Sequence, residues 1–135
     1  MNPTLLDTDI LSYFLRGDPV VKARAAEYLQ EYPSLNYSIF SRYEILSGLR
    51  YRDAHRQLDK FLDFVALNRM LPFTVQSVEI AADIYATLRS QGKIIDDVDI
   101  LIASIALENQ LTLVTNNTNH FTPIPDLTVE NWTKP

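Results

Sequence analysis

Short apolar segments alternate with longer helical segments along the whole 135-residue chain. Residues 111–115, rich in leucine and β-branched side chains, are the clearest strand; residues 5–6, 35–38 and 71–74 predict further short strands, and 127–129 an edge strand. Because neighbouring parallel strands need long crossover connections, this alternation predicts an α/β fold whose mostly parallel sheet is covered by helices on both faces.

Length and composition restrict the chain further. A chain of this length predicts a single domain over residues 1–135 that is large enough to bury a core. The absence of cysteine excludes disulfides, thiolate catalysis and cysteine-based zinc sites. With no signal-peptide pattern and no apolar stretch of membrane-spanning length, we expect a cytoplasmic protein with no membrane contact. A net charge of −5 argues that any nucleic-acid contact is local.

Helix boundaries are indicated by caps and breakers. Asp18 is a suitable cap for a helix with Pro19 in its first turn, and Gly17 and Gly92 follow helix ends. Ser77 is the predicted cap of a helix that ends at Gly92. The remaining predicted helices cover residues 9–15, 20–31, 54–68 and 99–109, with another from Ser38 or Ser41 to about residue 51.

Three carboxylates, Asp7, Glu44 and Asp99, are embedded in apolar segments. A buried carboxylate carries a desolvation cost unless a cation offsets it, and no Lys or Arg lies within the first or third of these segments. Oxygen ligands suit Mg²⁺ or Mn²⁺, and carboxylate-held Mg²⁺ commonly serves phosphate chemistry. Since ligands of open parallel sheets bind beyond the carboxyl ends of the strands, we expect these side chains to meet at one edge of the sheet.

Each of these acids also has a structural alternative. Asp7 could cap the first helix, although Asp9 is better placed and is interpreted as that structural cap. Glu44 could be a surface residue paired with Arg42 or Arg50. Gly48, one helical turn later, instead favours a site that a backbone or a ligand approaches closely.

The acids Asp96, Asp97 and Asp99 begin a predicted helix, where one acid complements the helix dipole and three repel one another. Asp99 has the register to face inward, and Asp96 is a candidate for a supporting or alternative ligand. Thr115 could orient a carboxylate or a water, and Asn117 could offer a carbonyl oxygen to a metal-bound water.

His55 and His120 are interpreted as surface or packing residues because they are too few and too far apart for a metal triad. A local basic stretch follows Glu44. It is either a solvated helical face or a set of RNA phosphate contacts, with Arg42, Arg50 and Arg52 as the candidates.

Four motifs together resemble the PIN-domain ribonucleases, and among them the VapC toxins of bacterial VapBC toxin–antitoxin pairs. They are Leu-Leu-Asp-Thr-Asp at 5–9, Ser-Arg-Tyr-Glu-Ile-Leu-Ser-Gly at 41–48, the apolar run beginning Asp-Ile-Leu-Ile-Ala-Ser at 99–107, and Leu-Val-Thr-Asn-Asn-Thr-Asn-His-Phe at 113–121. Trp132, after a short strand, fits the usual ending. The resemblance covers nearly the whole chain and implies a three-layer PIN fold with four to five short strands.

The same resemblance implies a Mg²⁺- or Mn²⁺-dependent endoribonuclease in which Asp7 and Asp99 are metal ligands and Glu44 acts through water or orients it. Thr115 would support them by hydrogen bonding. Many members carry a fourth acid where this chain has Asn117, or Asn116 if the turn is shifted. An amide in place of the fourth acid removes a negative charge that would help to bind a second metal ion tightly.

The implied partners are an RNA substrate, a VapB-type antitoxin that inserts a basic residue into the acidic pocket, and a second copy of the chain in a homodimer. The antitoxin helix would occupy a groove lined by aromatic side chains. The expected lining residues are Tyr13, Phe14, Tyr28, Tyr32, Tyr43 and Phe61.

Two other functions are consistent with parts of the pattern. A PIN-like domain that binds partners without cutting RNA is favoured only by Asn117. A phospho-receiver module would need an acid at the end of the strand at 71–74 and a lysine after residue 115, and the chain has neither.

Overall fold

The sheet of the computed structural model, which describes all of residues 1–135, has five short strands that are all parallel. Their order across the sheet is β3-β2-β1-β4-β5, so the first strand of the chain lies in the middle. This confirms the predicted α/β class. The strands are β1 (Thr4–Leu6), β2 (Asn36–Ser38), β3 (Arg69–Leu71), β4 (Thr112–Val114) and β5 (Val129–Glu130).

Seven helices connect and cover the strands. None is both long enough and apolar enough to cross a membrane. The helices are α1 (Thr8–Leu15), α2 (Pro19–Leu29), α3 (Ile39–Tyr51), α4 (His55–Leu67), α5 (Val75–Ser90), α6 (Asp97–Glu108) and α7 (Thr118–Phe121).

The start of α2 agrees with the sequence. The Asp18 carboxylate accepts hydrogen bonds from the backbone N–H groups of Val20 (3.1 Å) and Val21 (3.0 Å), and Pro19 opens the helix. Gly17 has a φ of +80°, a conformation that costs glycine little, and this permits the tight turn between α1 and α2.

The start of α5 differs from its prediction. Thr74 caps the helix, and Ser77 lies inside it as the second half of a capping box, so the prediction of Ser77 as the cap is wrong. The strand before it ends at Leu71 instead of continuing to Thr74, because Thr74 is already committed to the helix start. The short helix α7 was not predicted.

The alternating side chains of the central strands pack into two cores, one on each face of the sheet. Leu5 and Leu113 join the core under α5 and α6, whereas Leu6 and Val114 join the core under α1, α2 and α4. The second core also contains Tyr28, Phe61 and Trp132. Tyr28 and Phe61 were expected to line a partner groove; they are instead almost fully buried and cannot.

Candidate active site

Asp7 lies at the carboxyl end of the central strand and caps α1. Its Oδ1 accepts a hydrogen bond from the backbone N–H of Thr8 (2.8 Å), and its Oδ2 accepts one from the Thr115 hydroxyl (2.9 Å). Only 7% of Asp7 is exposed. The predicted roles of capping residue and site residue are therefore compatible, because one carboxylate oxygen caps the helix and the other faces Thr115 at the end of β4.

Asp9 belongs to the same edge of the sheet. Its Oδ1 accepts from the backbone N–H of Ile10 (2.7 Å), and its Oδ2 accepts from the backbone N–H of Asn116 (3.1 Å), beyond β4. Asp9 is therefore not the cap of α1, and interpreting it as purely structural missed its position. Its occurrence two residues after Asp7, in the first helical turn, was the available signal.

This edge of the sheet carries excess negative charge from Asp7, Asp9 and Asp99. The pKa of Asp7 is raised to about 7, first by burial and then by the charges of Asp9 and Asp99, while the hydrogen bonds from Thr115 and Thr8 lower it. Burial also raises the pKa of Asp9, and the negative charge of Asp99 adds to this rise. No Lys or Arg forms an ion pair with any of the three acids.

Glu44 is connected to Asp7 through Thr8. The Thr8 hydroxyl donates to Glu44 Oε1 (2.7 Å) and lies 2.8 Å from the Ser41 hydroxyl. Because the Thr8 hydroxyl has one proton, Ser41 must be the donor in their contact. Glu44 is exposed, as the alternative of a surface glutamate expected, but it forms no ion pair with Arg42, Arg50 or any other basic residue.

Asp99, in the first turn of α6, contacts His120 of α7. The distance between Asp99 Oδ2 and His120 Nε2 is 2.8 Å, and both side chains are 28% exposed. The interpretation of His120 as a surface or packing residue is therefore wrong. His120 is the one side chain at this edge that pairs with a site acid and can carry positive charge.

The remaining predicted residues contribute unequally. Thr115 is buried and contacts Asp7, as described above. Asn117 is exposed, and its backbone N–H donates to the Thr115 hydroxyl (3.1 Å). Asp96 occupies the cap position of α6 but is exposed and makes no side-chain capping bond.

Of the three predicted RNA-contacting arginines, Arg42 lies beside the Met70 sulfur (3.8 Å) and Arg50 is exposed. Arg52 alone lines a cavity together with Glu44.

The donor set suits a hard divalent cation, since all the acids present oxygen and Asp7 lacks a cationic partner. Nowhere, however, does the structure bring three or more Asp, Glu or His side chains together in an arrangement that could hold a metal ion. Mg²⁺ usually keeps several waters and takes only one or two protein carboxylates. The structure therefore has no closed protein cage, and an ion at this edge would be held by one or two carboxylates with water completing its coordination.

Comparison with known proteins agrees with this fold. The family model described as PIN domain matches residues 4–125. Ribonuclease VapC2 of Rickettsia felis is 30% identical over 131 residues, covering 96% of this chain and 98% of that protein. Ribonuclease VapC19 of Mycobacterium tuberculosis is 32% identical over 123 residues, covering 91% and 95% respectively.

Among solved structures, VapBC2 from Rickettsia felis, bound to a DNA fragment from its promoter, superposes with a TM-score of 0.86. The sequence identity is 28%, with 96% of this chain and 98% of that chain covered. The matches extend across both cores and the edge that holds Asp7 and Asp99. The chain belongs to the PIN-domain family and, within it, to the VapC group.

Proposed function

We propose that this protein is a Mg²⁺- or Mn²⁺-dependent endoribonuclease that acts as the toxin of a type II toxin–antitoxin system. The observation that supports this most strongly is the buried Asp7, whose pKa is raised to about 7 beside two further acids with no Lys or Arg partner. Such a concentration of charge destabilises a folded protein unless a cation binds there. Relatives named ribonucleases supply the reaction class.

Each residue of the edge has a role in this proposal. Asp7 and Asp99 would hold the ion, because each carboxylate oxygen that accepts one hydrogen bond keeps a further lone pair. When bound, Mg²⁺ or Mn²⁺ makes water more acidic and offsets charge on the phosphate. Thr8 and Thr115 fix the orientation of the Asp7 carboxylate. Glu44, exposed and tethered by Thr8, accepts a proton from the attacking water or orients that water.

The primary test is Asp7→Asn. The substitution keeps the shape of the side chain, and the Thr115 hydroxyl can reverse its hydrogen bond to accept from the new amide. We expect RNA cleavage with Mg²⁺ to fall by more than about 100-fold, since even indirect perturbation of a metal site costs 10- to 100-fold. Mapping new RNA 5′ ends after brief expression of each protein would also identify the target.

Asp83→Asn is the matched control, because Asp83 is an exposed acid of α5 that makes no side-chain hydrogen bond. It should cleave like the parent, and EDTA should abolish cleavage by both. A parent that binds RNA but does not cut it with Mg²⁺ or Mn²⁺ would favour the alternative of a PIN-like binding domain. The absence of a three-ligand group and the amide at Asn117 are the observations that keep this alternative in view.

We further propose a VapB-type antitoxin as partner, supported by the similarity to solved VapBC complexes. The acidic edge, without a metal ion, would accept a basic side chain from that partner. Asp7→Asn protein, tagged and expressed with the small protein encoded beside it, should copurify with that protein. Failure to copurify, or full RNA cleavage in the presence of the neighbour, would contradict this assignment.

A homodimer is also proposed, through the exposed apolar surface of α5. Val75, Val78 and Tyr85 are 79%, 47% and 44% exposed, and Val78 and Tyr85 line a shallow cavity with Phe73 and Leu101. Exposed apolar patches of this kind mark interaction sites. Light scattering at micromolar concentration should give a dimer for the parent and for Tyr51→Glu, and a monomer for Tyr85→Glu. A monomeric parent would exclude this proposal.

A further inference from the structure

A groove with a basic lining begins beside Glu44 and leads away from the acidic edge. Its first part is a cavity of about 450 Å³ lined by Thr8 and Glu44 at one end and by Arg16, Arg52 and Lys60. Its second part, of about 580 Å³, shares Arg16 and Lys60 with the first and adds Lys22, together with one acid, Asp63, and apolar side chains such as Phe14. We call the surface formed by Arg16, Lys22, Arg52 and Lys60 the basic groove.

The four cations of the basic groove are free to bind an external anion. All four residues are exposed, and none forms an ion pair or donates a side-chain hydrogen bond within the protein. The Arg16 guanidinium lies over the face of the Tyr13 ring, 4.9 Å from its centroid. In a chain with a net charge of −5, four unpaired cations along connected cavities form a distinct electrostatic feature.

The backbone of α3 has space for one of these cations. Glu44, Gly48 and Arg52 are spaced four residues apart and therefore lie on one face of the helix. A Cβ atom at Gly48 would lie 3.2 Å from Arg52 Nη1, so the guanidinium group is folded back over this glycine. Because Gly48 has no side chain, the Arg52 guanidinium can fold back along the helix towards Glu44. Arg42 lies on the opposite face of the same helix, two residues or about 200° from Glu44.

We propose that the basic groove binds the phosphate backbone of single-stranded RNA on one side of the scissile bond. This inference rests on the proposed ribonuclease function and extends it to the substrate-binding surface. The basic groove shares Thr8 and Glu44 with the candidate active site, so a strand lying in it delivers one phosphodiester to the acidic edge. Charge complementarity selects the occupant, because unpaired Arg and Lys side chains are the usual phosphate contacts.

An acidic segment of a protein partner is the other occupant that these charges could accept. RNA is favoured because the basic groove includes Glu44 and Thr8, and the backbone of Thr8 is hydrogen-bonded to Asp7. A polyanionic peptide would place its charges beside Glu44 with no reaction or metal ion to offset the repulsion, whereas RNA brings its phosphates to a site where a divalent cation is bound.

The test measures binding of a fluorescent single-stranded RNA to full-length protein across a salt series. Every protein carries Asp7→Asn, so binding is measured without cleavage and independently of whether the proposed reaction is correct. The groove variant adds Arg52→Gln and Lys60→Gln. The control variant adds Arg89→Gln and Lys93→Gln, which remove the same charge from α5 and the loop after it.

Each phosphate contact on a single strand contributes about 0.7 to the slope of log affinity against log salt. Loss of two contacts should flatten the slope by about 1.4 and weaken binding at 0.1 M salt about 25-fold, taking the contacts to contribute nothing at 1 M. The control variant should match its parent. Equal slopes for all three proteins would overturn the proposal. Equal effects of the groove and control variants, or a loss confined to a polyglutamate peptide, would overturn it as well.

Discussion

The two ends of helix α6 hold carboxylates in opposite ways. At its carboxyl end, Glu108 accepts hydrogen bonds from the hydroxyls of Thr74 (2.7 Å) and Ser77 (2.5 Å), which fastens the start of α5 to the end of α6. At its amino end, Asp99 shares an edge of the sheet with Asp7 and Asp9, and these charges raise one another's energy. The same functional group therefore stabilises the fold where neutral donors surround it and destabilises the fold where acids accumulate.

The largest effect is expected from the Asp7 carboxylate, whose charge destabilises the folded protein. The pKa of the Asp7 carboxyl is about 7 in the folded protein and 3.8 as the ordinary value, which applies to the unfolded chain. The folded protein therefore binds the Asp7 proton more tightly than the unfolded chain does. Stability from this group is therefore present below about pH 4 and is lost as the pH rises towards 7. At 1.36 kcal/mol per pKa unit, the loss is up to about 4 kcal/mol.

Asp7→Asn should abolish that loss. With EDTA present, we expect urea unfolding at pH 8 to show the variant more stable than the parent, with a much smaller difference at pH 4. Saturating Mg²⁺ should stabilise the parent at pH 8 and not the variant. Parallel pH profiles for parent and variant would show that the Asp7 carboxylate is not destabilising the fold.

Glu108→Ala should have the opposite consequence. Removing the acceptor of two hydroxyl groups should cost about 2 kcal/mol of unfolding free energy, within the range for hydrogen bonds to charged groups. RNA cleavage should not change. Glu79→Ala, at an exposed acid of α5, is the matched control and should leave stability within about 0.5 kcal/mol. Loss of RNA cleavage in a folded Glu108→Ala protein would contradict the purely structural role of Glu108.

His120→Ala tests how the contact with His120 affects Asp99 at the amino end of α6. If His120 holds Asp99 in the orientation that a metal ion needs, its removal should weaken Mn²⁺ binding about tenfold, as loss of a partner of a metal ligand commonly does. Isothermal titration with Mn²⁺ measures this directly. His55→Ala is the control, because His55 is 80% exposed and pairs only with Asp53. Tighter Mn²⁺ binding by His120→Ala would instead show that the imidazole competes with the ion.

The smallest expected effect concerns Gly48. Alanine is better than glycine in a helix interior by about 1 kcal/mol, and the Arg52 guanidinium is a flexible group that can move a few tenths of an ångström. Gly48→Ala should therefore raise the unfolding free energy by up to about 1 kcal/mol, measured by urea denaturation. A destabilised Gly48→Ala protein would show that this face of α3 cannot accommodate a methyl group.

Local signals in the sequence located all five strands and most helices, although the strands predicted at 71–74 and 127–129 overlap β3 and β5 by only one residue each. The Asp18-Pro19 pair identifies the start of α2 because its capping chemistry is complete within four residues. At α5, both Thr74 and Ser77 have capping hydroxyls, and sequence alone does not show which one has the extended backbone of a cap. Helix α7 has only four residues, too few for a hydrophobic period to be recognised.

Asp7, Glu44 and Asp99 were singled out because a charge in an apolar segment is visible locally, whereas Asp9 was assigned only a structural role. The contact between Asp99 and His120 was not predicted, because it joins residues 21 positions apart through a helix that the pattern did not reveal. Arg52 was predicted as an RNA phosphate contact, but the rest of the basic groove was missed for a similar reason. Arg16 and Lys60 come from α1 and α4, and only the packing of those helices beside α3 brings them to Arg52.

The central place of β1 has a consequence for synthesis of the chain. β1 is made first, yet its neighbour β4 is among the last strands to leave the ribosome. Until residues 112–120 have emerged, Asp7 lacks its Thr115 partner, Asp9 lacks the Asn116 amide, and Asp99 lacks His120. A nascent chain that has not yet exposed residues 112–120 therefore cannot assemble the acidic edge.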